Sequence, residues 1–330
     1  MNFLVRITAN LKKYLIFYSM VSVLAGWFLG VKFSDFSLNY RISFTRLVIL
    51  FVFFMIYPMM ININWLKVKN IAKDPKAILM SVFYNYILTP VIALILAKLF
   101  IHDNELFLGF ILVMLIPVSS SSVGYTGIVK GSVEIASIAQ AVNFLLIPIL
   151  TPVYFHFIGR GVNIPIPMEE IWRSLLYVVI LPIILGVITR WGLIKAKDEK
   201  ALKELKPLFS FITLVSMLFV VFIIFFLKGK MLLTKIHLVI VMGVVTLIYL
   251  SIALLLETYL NKKVGLSYEE HMGIVFLSTG KNNGTAVAIA SLAFGPMVAV
   301  PAAVLPIFQI IFLIAYIHLE NLVKKYFERK

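Results

Sequence analysis

The residues best suited to chemistry lie in one apolar stretch near the C-terminal end of the sequence. Residues 277–295 read LSTGKNNGTAVAIASLAFG, with Lys281, Asn282, Asn283 and Thr285 at the centre. Lysine and amide side chains are costly inside a bilayer, so a membrane segment that keeps them usually binds ions or substrate. Where a helix is interrupted, its free N–H groups attract anions and its free carbonyl groups attract cations. The stretch therefore predicts a polar binding site within an apolar segment.

A second apolar stretch has a polar interruption at the same relative position. Residues 107–131 align with residues 271–295 at a shift of 164 positions, and glycines coincide at both ends of the alignment. The interruption here is a run of four serines, Ser119, Ser120, Ser121 and Ser122. Serine and asparagine cap helix starts well, so both stretches are predicted to be broken helices with neighbouring breaks.

Two simpler interpretations stay open. The serines and asparagines could belong to ordinary helices and form hydrogen bonds to neighbouring helices. Lys281 could face a water-filled cavity and have no role in coupling. Both interpretations leave the chain a membrane protein, but neither provides a binding site.

Transmembrane helices must position these residues. Of the 330 residues, 62% are hydrophobic, the mean hydropathy is +1.02, and no residue is a cysteine, which excludes disulfides and thiolate metal sites. Apolar runs long enough to cross about 30 Å of hydrocarbon recur along the chain. Ten spans are predicted, at residues 13–30, 43–62, 76–100, 106–129, 134–158, 169–194, 207–227, 233–259, 268–294 and 297–320.

The order of the spans predicts an all-α integral membrane protein built from two inverted five-helix repeats. The N-terminal repeat is expected at residues 1–160 and the C-terminal repeat at residues 165–330. Because five is odd, the repeats enter the membrane from opposite sides. The only sizeable extramembrane segments are expected at residues 63–76 and 191–207, which leaves no room for a separate soluble domain.

The net charge of +15 is explained by its distribution over the two sides of the membrane. Twenty of the 30 basic residues fall on the side of both termini, nine on the opposite side, and Lys281 is the remaining one. Positive charge accumulates on the cytoplasmic side, so both termini are predicted to be cytoplasmic in a multi-pass protein of the cell membrane. The bilayer accounts for the charge, and neither nucleic acid nor a protein partner is implied.

The interrupted stretches resemble helices four and nine of the bile acid:sodium symporter superfamily, which also contains arsenite permeases. Its ninth helix reads Glu-x-Gly-x-Gln-Asn, and the corresponding residues 278–283 read STGKNN; its Ser-Asn pair in helix four corresponds to Ser122-Val123. The resemblance covers nearly the whole chain, and it implies that the interrupted fourth and ninth helices cross at their breaks. It implies a panel-type domain of helices 1, 2, 6 and 7 and a core-type domain of helices 3–5 and 8–10, whose relative movement gives alternating access.

The resemblance also implies where sodium ions would bind. The corresponding residues are Asn85, Ser122, Gln140, Ser278 and Asn282. Ser278 replaces the sodium-binding glutamate of the family, and Val123 replaces its asparagine. All 15 acidic residues are expected in loops or near helix ends, so none is expected to restore the charge. Na⁺ is the only cofactor in question, and the two-sodium mechanism of the family is not expected to apply unchanged.

Three roles for Lys281 stay open. Its ammonium group could take the place of a sodium ion, could exchange protons and couple transport to them, or could bind the anionic group of a substrate. A charge about 12 residues from either end of its span needs partners, and the expected ones are Asn85, Asn282, Asn283 and carbonyl groups of the broken helices.

The function that these expectations favour is secondary active transport of a small organic anion, coupled to a Na⁺ or H⁺ gradient. A cation/proton antiporter would need an aspartate at the crossing, and a metalloid exporter of the same superfamily would need a cysteine, neither of which is found. An intramembrane enzyme is the alternative of another class. The five histidines lack metal-ligand spacing and are expected at membrane interfaces, so no enzyme activity is predicted.

The distribution of basic residues yields a test of topology. A fluorescent protein that folds only in the cytoplasm, fused after Lys330, should fluoresce in intact cells because the C-terminus is predicted to stay inside. Whole-cell fluorescence normalised to the amount of fusion protein measures this. A dark fusion that is present in full amount would reverse the predicted orientation.

Overall fold

The protein is described from a computed structural model, which covers residues 2–63, 75–119, 122–162, 165–234 and 236–328. Every regular element in these residues is helical. In chain order the helices are α1 (Asn2–Lys13), α2 (Leu15–Lys32), α3 (Ser34–Asn39), α4 (Arg41–Asn62), α5 (Pro75–Phe83), α6 (Thr89–Phe100), α7 (Asn104–Leu115), α8 (Ser122–Ile128), α9 (Val133–Val162), α10 (Met168–Leu175), α11 (Leu181–Thr234), α12 (Ile236–Lys263), α13 (Tyr268–Thr279), α14 (Asn283–Ala293), α15 (Val300–His318) and α16 (Glu320–Glu328).

The chain forms two compact units, and each combines segments that are distant in sequence. The first unit comprises residues 1–63, 165–239 and 284–303. The second comprises residues 64–164, 240–283 and 304–330. The second unit contains both interruptions that the sequence singles out.

Seven helical stretches in the described residues are long and apolar enough to cross a membrane. They are Arg41–Asn62, Pro75–Phe100, Val133–Ile158, Met168–Lys195, Glu204–Leu227, Ile240–Lys263 and Val300–His318. Phe3–Lys13 and Phe17–Lys32, bent by 77° at their junction, make an eighth candidate if they are counted together. Length and composition therefore confirm a helical, multi-pass membrane protein, while the inverted ten-helix repeat stays a prediction.

The predicted fourth and ninth spans are not continuous helices. The fourth is divided into α7 and α8, with the described residues 116–119 non-helical, and the ninth is divided into α13 and α14, with the non-helical residues 280–282 between them. The predicted interruptions are therefore present. They explain why neither stretch is among the seven continuous spans.

One predicted extramembrane segment is helical. Residues 191–207 lie inside α11, and residues 196–203 fall between the candidate membrane spans that end at Lys195 and begin at Glu204. Alanine, leucine, lysine and glutamate fill most of this segment, and these residues favour helix even where little else packs against them. Of the other predicted extramembrane segment, residues 64–74 lie outside the described part of the chain.

Local sequence fixes where the broken helices begin. The carboxylate of Asp103 accepts hydrogen bonds from the backbone N–H groups of Glu105 and Leu106, both at 3.1 Å, and so caps α7. Ser267 and Glu270 form a reciprocal capping box at the start of α13. Both first halves are thus strongly initiated, and their ends depend on the residues at the breaks.

The two breaks pair with each other through the backbone. Ser119 N–H donates to the carbonyl of Gly280 at 2.8 Å, and Asn282 N–H donates to the carbonyl of Ile116 at 2.9 Å. The chains run antiparallel at this point, as a single β-bridge. These bonds satisfy backbone groups that the helix ends leave free, so the predicted meeting of the two interruptions is confirmed.

Side chains of α8 complete the junction. Ser122 Oγ donates to the carbonyl of Phe276 at 2.5 Å, and Thr126 Oγ1 donates to the carbonyl of Met272 at 3.1 Å. Val118, in the break itself, has φ of 73°, a left-handed conformation that costs a β-branched residue energy. The surrounding hydrogen bonds keep the backbone in this strained conformation, so the break has one defined geometry.

A π-helical turn shapes the helix next to the breaks. Residues Tyr84–Leu88 form this turn between α5 and α6, and Pro90 follows two residues later. Proline has no N–H to donate to the preceding turn, and a widened turn accommodates the lost bond. The turn contains Asn85 and leads directly to Thr89, which belongs to the candidate site.

The close packing at the junction yields a prediction. A Cβ atom added at Gly280 would collide with the carbonyl oxygen of Phe276 and with Ser122 Oγ, whereas a Cβ at Gly124 in α8 would meet no atom within 4 Å. Gly280→Ala should therefore destabilise the protein by about 1–3 kcal/mol. Thermal unfolding of the detergent-purified protein should show a lower apparent melting temperature.

Gly124→Ala is the matched control. It should leave the melting temperature unchanged or raise it slightly, because alanine favours helix over glycine by up to about 1 kcal/mol. Equal melting temperatures for Gly280→Ala and Gly124→Ala would show that the breaks are not packed as described.

Candidate ion and substrate site

The side chain of Lys281 is buried at the paired breaks. Its exposed fraction is 1%, and its Nζ lies 3.4 Å from Thr89 Oγ1 and 5.5 Å from the centre of the Tyr249 ring. The ammonium group therefore has a hydroxyl oxygen and an aromatic face as partners. Of the expected partners, Asn85 hydrogen-bonds to Asn143, and Thr89, one turn beyond Asn85, reaches the ammonium group.

Gln309 of α15 holds the backbone of the second break. Its Oε1 accepts a hydrogen bond from the N–H of Lys281 at 2.9 Å and one from Asn283 Nδ2 at 3.4 Å. Asn283 Nδ2 also lies 3.2 Å from the carbonyl oxygen of Lys281. Gln309 was not predicted, since the sequence does not reveal which face of α15 points to the break.

Glu257 corrects the expectation that no acidic residue lies in the interior. Its side chain is fully buried, and Ser278 Oγ donates a hydrogen bond to Glu257 Oε2. The predicted span ended at residue 259, whereas the observed span continues to Lys263, which places Glu257 six residues inside. The carboxylate that the family carries at position 278 is thus supplied by α12 and hydrogen-bonds the serine at that position.

Glu257 and Lys281 are buried near each other. The two groups are close enough to interact electrostatically, although no ion pair within 4.0 Å joins them in the described residues. The second carboxylate oxygen, Oε1, has no hydrogen-bond partner in that part of the chain. A buried charge on either residue would need the compensation that the other offers.

Asn85 belongs to a separate polar cluster around Asn143. Asn85 Nδ2 donates to Asn143 Oδ1 at 3.0 Å, and Asn143 Nδ2 donates to Ser81 Oγ at 3.0 Å. Gln140 is buried on α9, three residues before Asn143. Asn143 was missed, although a second amide in an apolar span was a visible signal.

The remaining predicted site residues are distributed as follows. Ser119, Ser122 and Asn282 lie at the junction of the breaks, where their backbone or side-chain bonds hold it together. Thr285 is buried on α14, in the part of that helix that belongs to the first unit. Ser120 and Ser121 lie outside the described residues.

A hydrogen-bonded chain beside the breaks corrects the expectation that His271 is an interfacial residue. His271 is fully buried and is bonded at Nδ1 to Asn261 Nδ2 (2.8 Å) and at Nε2 to the hydroxyl of Tyr316 (2.7 Å). Asn261 Oδ1 accepts from the Tyr84 hydroxyl at 2.6 Å, which leaves its amide nitrogen as the donor to His271. The ring therefore carries its hydrogen on Nε2, and the chain ties together four helices.

The candidate sodium ligands are divided between two places. The hydroxyls of Ser122 and Ser278 lie beside the breaks and donate to Phe276 and Glu257, whereas Asn85 donates through Nδ2 to the separate cluster and its Oδ1 has no hydrogen-bond partner among the described residues. A protonated Lys281 would repel a metal cation placed beside it. Among the described residues, no group of three or more His, Cys, Asp and Glu side chains could hold a metal ion.

Comparison with known proteins places the chain among membrane transporters. It is 22% identical over 265 residues to the uncharacterized transporter slr0944 of Synechocystis sp., covering 74% of this chain and 69% of that protein. It is 24% identical over 243 residues to the uncharacterized sodium-dependent transporter YocS of Bacillus subtilis, covering 73% of this chain and 72% of that protein. It is 22% identical over 162 residues to the arsenical-resistance protein Acr3 of Alkaliphilus metalliredigens, covering 46% of this chain and 45% of that protein.

The sequence profile of one transporter family matches this chain directly. The profile is that of the Sodium Bile acid symporter family, and it matches residues 49–235. This range is more than half of the 330 residues and runs from α4 to the end of α11. It confirms the resemblance that the two interrupted stretches suggested. The chain therefore belongs to the Sodium Bile acid symporter family.

Proposed function

We propose that this protein is a secondary active transporter that carries a small organic anion across the cell membrane by alternating access. The observation that carries the proposal is a buried ammonium group, that of Lys281, at two helix breaks that pair with each other. Membership of a transporter family supports the general activity. The substrate class and the coupling ion rest on the geometry of this site.

The breaks favour an anionic substrate. The second half of each broken helix begins at the junction, α8 at Ser122 and α14 at Asn283. The N-terminal ends of helices carry partial positive charge and free N–H groups, which bind anions. Lys281 adds a full positive charge at the same place. A carboxylate or similar group of the substrate is the ligand that this combination recognises.

The ammonium group of Lys281 is proposed to act as a tethered cation where relatives of this family bind a sodium ion. Thr89 and Tyr249 hold the group in place, and Glu257 supplies the balancing charge. A permanently bound cation leaves no need for an external one at the break. The proton is then the coupling cation that the site favours, since it needs no coordination shell.

The movement is proposed to follow the architecture of two inverted five-helix repeats. The broken helices α7/α8 and α13/α14 would be the fourth members of these repeats. Helices of the panel type (1, 2, 6 and 7) and of the core type (3–5 and 8–10) would move relative to each other. Both termini are proposed to be cytoplasmic, on the basis of the distribution of charge.

Electrical recording from proteoliposomes tests the general proposal. Organic anions that include a bile acid, monocarboxylates and dicarboxylates would be applied in turn, in sodium and in choline buffers at several pH values. At least one anion should produce a transient current that protein-free liposomes lack. Arsenite transport without any organic-anion response would favour a metalloid exporter instead. Proton release driven by sodium alone would favour a cation/proton antiporter.

Substitution of Lys281 tests its role. With an anion identified in that screen, wild-type uptake should proceed without sodium and should depend on pH. Lys281→Ala should abolish sodium-independent uptake because the break loses its cation, and Lys281→Gln should not restore it because the amide is uncharged. Radiolabelled uptake into proteoliposomes measures both effects.

Lys98→Ala is the matched control, since Lys98 is exposed and lies at the end of α6. It should transport like the wild type. If wild-type uptake requires external sodium and Lys281→Ala retains the full sodium-dependent rate, Lys281 is only structural and the tethered-cation proposal fails.

A double-mutant cycle tests whether Glu257 compensates Lys281. Glu257→Gln and Lys281→Met should each lower the apparent melting temperature strongly, since each leaves one buried charge without its partner. The double variant should lose less stability than the two single losses added together, by about 1–3 kcal/mol. Thermal unfolding of all four proteins in one detergent measures this coupling.

Exposed charges provide the reference for that cycle. Lys98→Met and Glu105→Gln remove exposed charges and should give additive, small effects. Additive losses for Glu257 and Lys281 would mean that the two groups do not sense each other.

A further inference from the structure

A cavity is formed within the first unit. It has a volume of about 430 Å³, is partly open, and is almost entirely apolar. Its walls come from α4, the π-helical turn Leu176–Ile180, α11 and α14, and they include Ile49, Phe53, Tyr177, Leu181 and Leu292. Arg46 is the one charged residue in its lining.

The cavity follows one face of α4 over the depth of half a membrane. Its α4 residues run from Arg46 to Ile56, with spacings of three and four that place them on one side of the helix. Ten residues of helix span about 15 Å, which is half of the roughly 30 Å hydrocarbon layer. The length therefore matches an acyl chain that belongs to a single leaflet.

Arg46 is placed to meet a headgroup. It lies five residues from the start of the span Arg41–Asn62, or about 8 Å along the helix, within reach of the interface for a long side chain. It is exposed, and no carboxylate pairs with it in the described residues. A guanidinium group in this position presents several N–H donors, which suit a phosphate group.

We propose that this cavity binds an anionic phospholipid of the surrounding bilayer. One acyl chain would lie against Ile49, Phe53 and Leu181, and the phosphate would contact Arg46. The match rests on three observations: an apolar wall one leaflet long, a partial opening, and a lone cation at one end. The proposal is independent of the transport mechanism, since the paired breaks belong to the other unit.

Native mass spectrometry tests the proposal directly. The purified protein would be mixed with equal amounts of phosphatidylglycerol and phosphatidylcholine, and the bound lipid of each kind would be counted. Wild type should retain phosphatidylglycerol in preference to phosphatidylcholine. Arg46→Gln should reduce that retention about tenfold, as expected for a lost hydrogen bond to a charged group.

Two further variants isolate the contributions of the cation and of the wall. Arg41→Gln removes an exposed charge on the same helix end that does not line the cavity, and it should retain the lipid like the wild type. Ile49→Trp keeps Arg46 but fills the cavity, and it should reduce phosphatidylglycerol retention as Arg46→Gln does.

Several outcomes would overturn the proposal. They are equal retention of the two lipids by the wild type, retention by Arg46→Gln or Ile49→Trp that matches the wild type, and a loss of retention in Arg41→Gln equal to that in Arg46→Gln.

Competition with inorganic phosphate is the last experiment. If phosphate alone, at the concentration of the lipid, displaces phosphatidylglycerol completely, Arg46 binds only a free anion and the acyl chain contributes nothing.

Discussion

The structure of the second unit depends on the compensation of one buried positive charge. An isolated ammonium group would be too costly inside this unit, and Lys281 is buried there with an exposed fraction of only 1%. Tyr249 and Glu257 of α12 and Thr89 of α6 all interact with this one group. In the function proposed above, this covalently attached ammonium group takes the place of a mobile cation, and the carboxylate of Glu257, on another helix, balances it.

The paired breaks make this arrangement possible. Two interrupted helices would each leave free backbone groups, but the hydrogen bonds between residues 116–119 and 280–282 satisfy part of each set. Ser122 and Thr126 bond further carbonyl groups of α13. In the function proposed above, the partial positive charge at the start of α14 and the ammonium group of Lys281 together form the anion site.

The sequence alone was sufficient for the breaks but not for their surroundings. The shift of 164 residues aligned two polar interruptions, because the residue types that interrupt and restart a helix are few. Glu257 was missed because α12 runs four residues beyond its predicted end, which moves the carboxylate from the edge to the interior. Thr89 and Gln309 were missed for another reason. Their contacts depend on the rotation of α6 and α15, and uniformly apolar helices give no periodic signal of it. The segment 191–207 is helical although it separates two predicted spans, since lysine, leucine and glutamate continue a helix beyond an apolar run.

The most direct test of the tethered cation needs no substrate. Thermal unfolding of the purified wild-type protein would be followed over a concentration series of sodium chloride, with choline chloride at equal ionic strength as the reference. A site that binds sodium stabilises the folded state as the ion saturates it, whereas a site already filled by an ammonium group does not. The account predicts superimposable melting temperatures in the two salts at every concentration. A sodium-specific increase that saturates would contradict it.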